Sequence, residues 1–188
     1  MTTKSSRSNK VRCTWAESHE LHTQYHDAEW GVPVHDDRLL FEMLNLEGAQ
    51  AGLSWITILK KRDHYRQAFD NFDFNKIATY DAKKKAALLK DAGIVRHKLK
   101  INAVVENAKV IIKIRDEFGS FDKYVWSFVG GKPQRRGGKN IPSPEADLLS
   151  KDLKKRGCRF VGKTTCYAFM QAVGLVDDHA PDCFRSGR

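Results

Sequence analysis

The chain has 188 residues, 41% of them hydrophobic and four of them tryptophan, so it can bury a sizeable core and is not globally disordered. Its 33 lysines and arginines outnumber 23 aspartates and glutamates, and the net charge of +10 points to an anionic partner, nucleic acid above all, with mere solubility as the plainer reading. Four scattered cysteines exclude a disulfide scaffold, and no apolar run is long enough for a membrane span, which predicts a cytoplasmic protein without a membrane partner.

In chain order, "MTTKSSRSNK" has no apolar segment of a signal peptide and reads as a disordered basic tail over residues 1–11. "DDRLLFEMLNLEGAQAG" carries Leu40, Met43, Leu44 and Leu46 at helical recurrence behind an acidic start. "SWITILKKRDHYRQAF" reads as one helix with Ser54 as its N-cap. "DAKKKAALLKDAG" predicts a short helix from Asp81 to Gly93, and "HKLKINAVVENAKVIIKIRDEFG" a long one ending at a glycine. The stretch 130–140, "GGKPQRRGGKN", is too poor in apolar residues to pack and is expected to be a mobile loop, solvated or brushing phosphate. "SPEADLLSKDLKKRG" opens on a strong start signal, Ser143-Pro144-Glu145, and "KTTCYAFMQAVGL" is an apolar helix that Thr164 or Thr165 would cap. No alternating strand pattern appears. The expected fold class is all-α, a single domain over residues 12–184 followed by a short tail, 185–188.

Four constellations bear on chemistry. "GCRFVGKTT" matches a phosphate-loop pattern from Gly157 to Thr164, but a charged helix precedes it where a buried strand is needed, so the match reads as coincidence. Residues 88–108 have the layout of a helix-hairpin-helix, about 82–108 in full. There a helix stop at Gly93, an apolar turn Ile94-Val95 and a second helix opening near His97 would present amides and a positive dipole end to a phosphate. Lys98 and Lys100 add charge in the same place, and such a device grips backbone rather than reading sequence. In "LEGAQAGLSWITILKKR", Glu47 is either a helix-end carboxylate bonded to nearby amides or a site residue, and Trp55 either core or site. Tyr25 and Trp30 in "YHDAEWGVP" are core aromatics by default. Finally, Cys13 and His26 near the start, with His179 and Cys183 near the end, complete a two-cysteine, two-histidine set suited to structural zinc. With seven histidines in the chain, chance proximity remains the other reading.

Taken together, "YHDAEWGVP", "FEMLNLEGAQAGLSWITILKKR", "DAGIVRHKLKI", "KYVWSFVGGKPQ", "LSKDLKKRGCRFVG" and "FMQAVGLVDDH" resemble the bacterial DNA-3-methyladenine glycosylase I family, of the helix-hairpin-helix glycosylase superfamily. The resemblance runs from Arg12 to Cys183. It implies the all-helical glycosylase fold, with a structural zinc (Zn2+) on Cys13, His26, His179 and Cys183 joining the N- and C-terminal segments. It implies a monofunctional enzyme, most simply a monomer, that acts on double-stranded DNA and removes 3-methyladenine without cutting the strand. By resemblance Glu47 is the catalytic residue and accepts hydrogen bonds from the base. Trp55 stacks on the flipped base, Tyr25 and Trp30 complete the pocket, and Leu53 plugs the vacated helix, with Gly93, Val95 and Lys98 on the DNA backbone. Asp116, at the distance where related glycosylases place an aspartate, reads as a solvated helix-end charge. The sequence departs from the family's pattern at His22, where a tyrosine is expected. A non-catalytic DNA-binding module of the same fold is the alternative; a phosphate-loop hydrolase is a third.

Overall fold

The structure, a computed structural model, describes residues 10–187. The tail expected over residues 1–11 therefore lies outside the described residues except for Lys10 and Val11, and these two are held: Lys10 lies over the Phe184 ring, and Val11 O accepts from Phe184 N at 2.9 Å.

Side-chain caps set where most helices begin. After a 3-10 turn (Thr14–Glu17), His19 Nδ1 accepts from Leu21 N to open α1 (Glu20–Ala28). Asp36 accepts from Leu39 N at 2.7 Å to open α2 (Asp37–Gln50). Two short helices, α3 (Trp55–Leu59) and α4 (Arg62–Ala68), precede α5 (Phe74–Ile77) and α6 (Ala82–Lys90), the last capped by Asp81. His97 Nδ1 caps α7 (Lys98–Phe118), which ends at Gly119 with φ 88°. Then follow α8 (Phe121–Ser127), α9 (Pro144–Arg156) between Ser143 and a left-handed Gly157, and α10 (Lys163–Ala172). The architecture is a helical assembly around α2, every residue of which from Leu40 to Ala49 is buried. Helices α3, α7, α8 and α10 pack against it.

Several expectations need correction. The segment 54–69 is two helices, not one, because the chain breaks at Lys60–Lys61. The break turns Arg62 inward, where its Nε reaches Glu42 and its Nη1 reaches Glu29, each at 2.6 Å. Ser54 does stand at the N-cap position, of α3 alone, but its hydroxyl accepts no backbone N–H and pairs with Thr57 Oγ1 at 2.8 Å. Helix α6 stops at Lys90, before Gly93. Gly162, not Thr164 or Thr165, stands at the N-cap of α10, and what precedes the connection 158–161 is helix α9 with its Gly157 cap, where a phosphate loop would require a buried strand. The stretch 130–140 is anchored rather than free. Strand β1 (Gln134–Arg135) pairs in parallel with β2 (Val176–Asp177), and Lys139 N and Asn140 N donate to Asp178 at 3.0 and 2.9 Å. Backbone amides meeting a buried carboxylate hold it without apolar side chains.

Gly174, at φ +72°, lets the chain leaving α10 turn against the segment ahead of α2; a Cβ there would stand 2.4 Å from Pro33 N and 2.5 Å from Val32 C. Because the obstruction is backbone, Gly174→Ala should lower unfolding stability by about 2 kcal/mol or more. A denaturant midpoint indistinguishable from wild type would contradict that packing.

Candidate active site and metal-ligand cluster

Helices α1, α2 and α3 converge so that Tyr25, Trp30, Glu47 and Trp55 line one cavity of about 550 Å³. The Tyr25 and Trp55 rings are 5.4 Å apart and tilted, and Trp15 meets Trp30 edge-on at 5.1 Å. Two polar atoms in this aromatic wall, Tyr25 Oη and Trp55 Nε1, are buried without a hydrogen-bond partner. A buried donor with no acceptor is costly unless something brought into the cavity satisfies it.

Glu47 belongs to the same wall. It sits in the last turn of α2, 6% exposed, and its side chain makes no hydrogen bond or ion pair within the described residues. The reading in which nearby amides satisfy it is therefore wrong. Burial alone pushes its carboxyl up to about 8, and the Tyr25 hydroxyl beside it is held well above its usual range, first by burial and then by the Glu47 charge. The Glu42 carboxylate on the same helix shows the contrast, since Arg62 and Arg66 both bind it. Fold stability explains Glu42; it does not explain Glu47.

Leu53 lies outside the cavity, at the tip of the turn 51–54 that follows α2, and is 41% exposed beside a left-handed Gly52. The helical pair α6 and α7 supplies the other predicted contacts, with one adjustment. The amides of Gly93 and Val95 are not free: Gly93 N donates to Asp91 Oδ1 at 2.7 Å and Val95 N to Tyr65 Oη at 3.1 Å. What remains for an anion is the first turn of α7, whose leading amides lack intrahelical acceptors, together with the exposed, unpaired Lys98. Lys100 is not free either, for its Nζ donates to Ala49 O at 2.8 Å and to Ala51 O at 2.7 Å. Asp116 is exposed and paired with its neighbour Arg115, as read from sequence.

The chain ends meet at a second cluster. Ligand atoms of Cys13, His26 and Cys183 lie within 4.8 Å of one another, all three residues buried. His26 Nδ1–H donates to Asp27 Oδ1 at 2.9 Å, which leaves Nε2 facing Cys183 Sγ at 3.4 Å. Arg12 in turn grips Asp27, its Nη2 at 2.7 Å. His179 stands outside that group of three but has the same build: Nδ1–H donates to Asp177 Oδ1 at 2.9 Å, and Nε2 is buried without a partner, the ring centred 5.2 Å from His26. Burial lowers the pKa of both imidazoles, which favours the neutral, ligating form. A carboxylate behind each histidine, with the inner nitrogen facing a thiol at His26 and left without a partner at His179, is the arrangement by which metal-binding histidines are oriented. The donor set fits a metal ion.

Residues 15–186 match the methyladenine glycosylase family model. The chain is 49% identical over 177 residues to DNA-3-methyladenine glycosylase 1 of Escherichia coli, covering 92% of this chain and 95% of that one. It is 47% identical over 178 residues to the DNA-3-methyladenine glycosylase of Haemophilus influenzae, covering 92% and 96%. It superposes with TM-score 0.90 and 38% identity on a structure of 3-methyladenine DNA glycosylase I from Staphylococcus aureus, solved for 3-methyladenine recognition, covering 94% of this chain and 97% of that one. The chain belongs to the methyladenine glycosylase family.

In this methyladenine glycosylase the cavity has further lining residues that sequence reasoning did not place there: Trp15, Gln50, Gln171 and Asp178. Trp15 sits two residues from Cys13 and Asp178 next to His179, two of the candidate metal-binding residues, and that adjacency is the only signal in the sequence. His22, the departure from pattern, also lines the cavity. Ser18 Oγ donates to Trp15 O at 2.7 Å, so the same oxygen receives the Nδ1–H of His22 at 2.7 Å, and His22 Nε2 is left as a buried acceptor without a partner. No helix of the described residues is long and apolar enough to cross a membrane.

The raised Glu47 pKa has a stability consequence. Unfolded, the carboxyl titrates near 4.5 and folded at about 8. Between those values the folded state keeps a proton that the unfolded state releases, so this group costs stability progressively as pH rises through the window. Thermal unfolding of wild type and Glu47→Gln at pH 5 and pH 8.5 should show the variant gaining on wild type at the higher pH. An equal difference at both pH values would contradict the burial of an unpaired carboxyl.

Proposed function

We propose that this chain is a monofunctional DNA glycosylase of base excision repair, which flips 3-methyladenine out of alkylated duplex DNA and hydrolyses its N-glycosidic bond. The observation that carries the reading is Glu47, a buried carboxyl with no protein partner, facing an aromatic cavity that also holds unsatisfied Tyr25 Oη and Trp55 Nε1. A non-catalytic DNA-binding module has no use for that arrangement.

The substrate base is cationic in the duplex. When the C1′–N9 bond breaks, its electron pair passes to the base, which leaves neutral, and the positive charge passes to the sugar; water adds to C1′ and loses a proton to solvent, giving an abasic site. The leaving group therefore needs little activation, and the enzyme's work is flipping, holding and discriminating. The Trp55 face stacks on the base, with Tyr25 and Trp30 closing the pocket. Stacking contributes about 1–3 kcal/mol per base, and cation–π attraction about 0.5–2 kcal/mol as water is excluded. Glu47, protonated in the empty cavity at neutral pH because of burial, is driven towards carboxylate by an arriving cation. It then accepts from the base's amino edge. Normal bases bring no charge and leave the burial cost of Glu47 uncompensated, which is a basis for rejection.

The α6–turn–α7 segment serves as a helix-hairpin-helix that grips the phosphate backbone through the first turn of α7 and Lys98, with Gly93 and Val95 shaping the turn. Leu53 enters the gap left by the flipped nucleotide. Cys13, His26, His179 and Cys183 would hold one structural Zn2+, and with four protein donors it would pin the two chain ends rather than activate water. The working unit is a monomer, its glycosylase domain spanning residues 12–184, acting in the bacterial cytoplasm on nucleoid DNA.

Methylated duplex DNA incubated with the protein should release 3-methyladenine, resolved by chromatography, and Glu47→Ala should release it at least about 100-fold more slowly, the scale of losing a well-placed polar group. No release by wild type above background would overturn the reading. Metal analysis should give about one zinc per chain, and Cys183→Ser should lose it with a clear drop in melting temperature. Full metal content and unchanged melting in that variant would refute the zinc assignment.

A further inference from the structure

The turn that carries Leu53 is exposed at every residue from 51 to 54, and little within it resists movement. Its internal backbone bonds are Ala51 N to Gly48 O at 3.4 Å and Leu53 N to Gln50 O at 2.6 Å. Yet Glu47 lies on one side of it and Trp55 on the other, so its position sets both the wedge and the pocket wall. What holds it comes from the helical hairpin. Lys100, in the first turn of α7, sends its ammonium across to Ala49 O and Ala51 O at 2.8 and 2.7 Å. These are carbonyls at the end of α2, which by helix geometry lack intrahelical donors, and a cation there also suits the helix dipole. Lys61, at the α3–α4 break, returns the connection by donating to Ala92 O in the hairpin turn at 2.7 Å. Tyr65 Oη accepts from Val95 N at 3.1 Å. The hairpin is thereby tied at three places to the segment 49–65.

A lysine two residues beyond Lys98 would ordinarily be counted as a phosphate contact. Two of its three N–H donors are already committed to protein carbonyls, and it is half-buried between two elements. We propose that Lys100 is a positioning residue that fixes the distance between the DNA-gripping turn of α7 and the Leu53 turn, so that docking of the backbone on one delivers the wedge and the pocket on the other. The inference rests on the glycosylase reading above and extends it: Lys100 acts on the flipping step through Ala49 and Ala51, without touching DNA or base.

Lys100→Met keeps the length of the side chain and removes the donors; Lys100→Arg keeps a cation that can span two carbonyls. Base release from methylated duplex DNA at saturating substrate, the salt dependence of KM, and binding of free 3-methyladenine followed by tryptophan fluorescence separate the possibilities, with Lys98→Ala as the phosphate-contact reference. Lys100→Met should lower kcat at least 10-fold, bind free 3-methyladenine within 2-fold of wild type, and leave the slope of log KM against log salt unchanged. Lys100→Arg should restore at least a third of wild-type kcat. A wild-type kcat in Lys100→Met overturns the proposal. So does a raised KM with a salt slope smaller by about 1, the mark of a lost phosphate contact expected of Lys98→Ala. Parallel loss of free-base binding and kcat overturns it too, since that marks damage to the pocket itself. If wild type releases no 3-methyladenine, the glycosylase reading fails and takes the inference with it; wild-type release combined with any of the other outcomes overturns the inference alone.

Discussion

A helix surrounded by protein on every side has to satisfy its own polar side chains, because water does not reach them, and α2 is such a helix. Its interior run from Leu40 to Ala49 carries three that are strongly polar, and their fates differ. Glu42 is met by Arg62 and Arg66. Asn45 donates to Phe41 O and accepts from Asn107 of α7, at 2.8 and 3.0 Å. Glu47 meets nothing. Burying a carboxyl without a partner is among the more expensive things a fold can do, and here the expense falls at the wall of a cavity lined by aromatic rings. The helix that organises the core is also the one that exposes an unmet need to a ligand.

Much of the surrounding structure follows from keeping that helix buried. The break between α3 and α4 costs a continuous helix, but it swings Arg62 into place between Glu42 and Glu29. The end of α2 would leave carbonyls unpaired beside the hairpin, and Lys100 takes them. Even the polar pair Asn45 and Asn107 extends the arrangement, since Asn107 Oδ1 accepts from Arg159 N at 2.8 Å and so fixes the α9–α10 connection against α7. These are satisfied buried groups, each with a defined partner, and they make the positions of α2, α3 and α7 mutually dependent.

The sequence made the helices legible wherever a cap and a period agreed. Asp81, Ser143, Gly119 and Gly157 sit where short-range chemistry predicts them. It failed where a long-range partner decided the outcome. Nothing local in "KKRD" announces that Arg62 turns inward, and nothing in "GGKPQRRGGKN" announces that Asp178, some forty residues later, anchors its amides. The same division holds for the site. Glu47 and Trp55 were nameable only through a family resemblance, because their local context is equally that of a helix end and a core aromatic. Trp15 and Asp178 had only their adjacency to Cys13 and His179 to mark them, since their place in the cavity depends on the two chain ends meeting.

That meeting connects the metal-ligand cluster to the cavity more closely than a structural role suggests. Cys13 and Ala180 line the cavity themselves, and Trp15 and Asp178 flank cluster residues on either side. Ala180 N donates to Cys13 Sγ at 3.3 Å, so the two segments are already joined through the thiol. Trp30 stands between cavity and cluster, its ring 4.5 Å from His179 and stacked on His26 at 6.0 Å. Asp178 accepts from Tyr167 and Gln171 as well as from the loop amides, and it follows directly on the Asp177 that orients His179. The cluster thus shares with the cavity the residues on which Trp30, Trp15 and Asp178 rest. Where the two chain ends meet, Trp15, Trp30 and Asp178 take fixed places in the cavity they line together with Glu47, and a cavity can discriminate by shape and charge only as far as its lining is held in place.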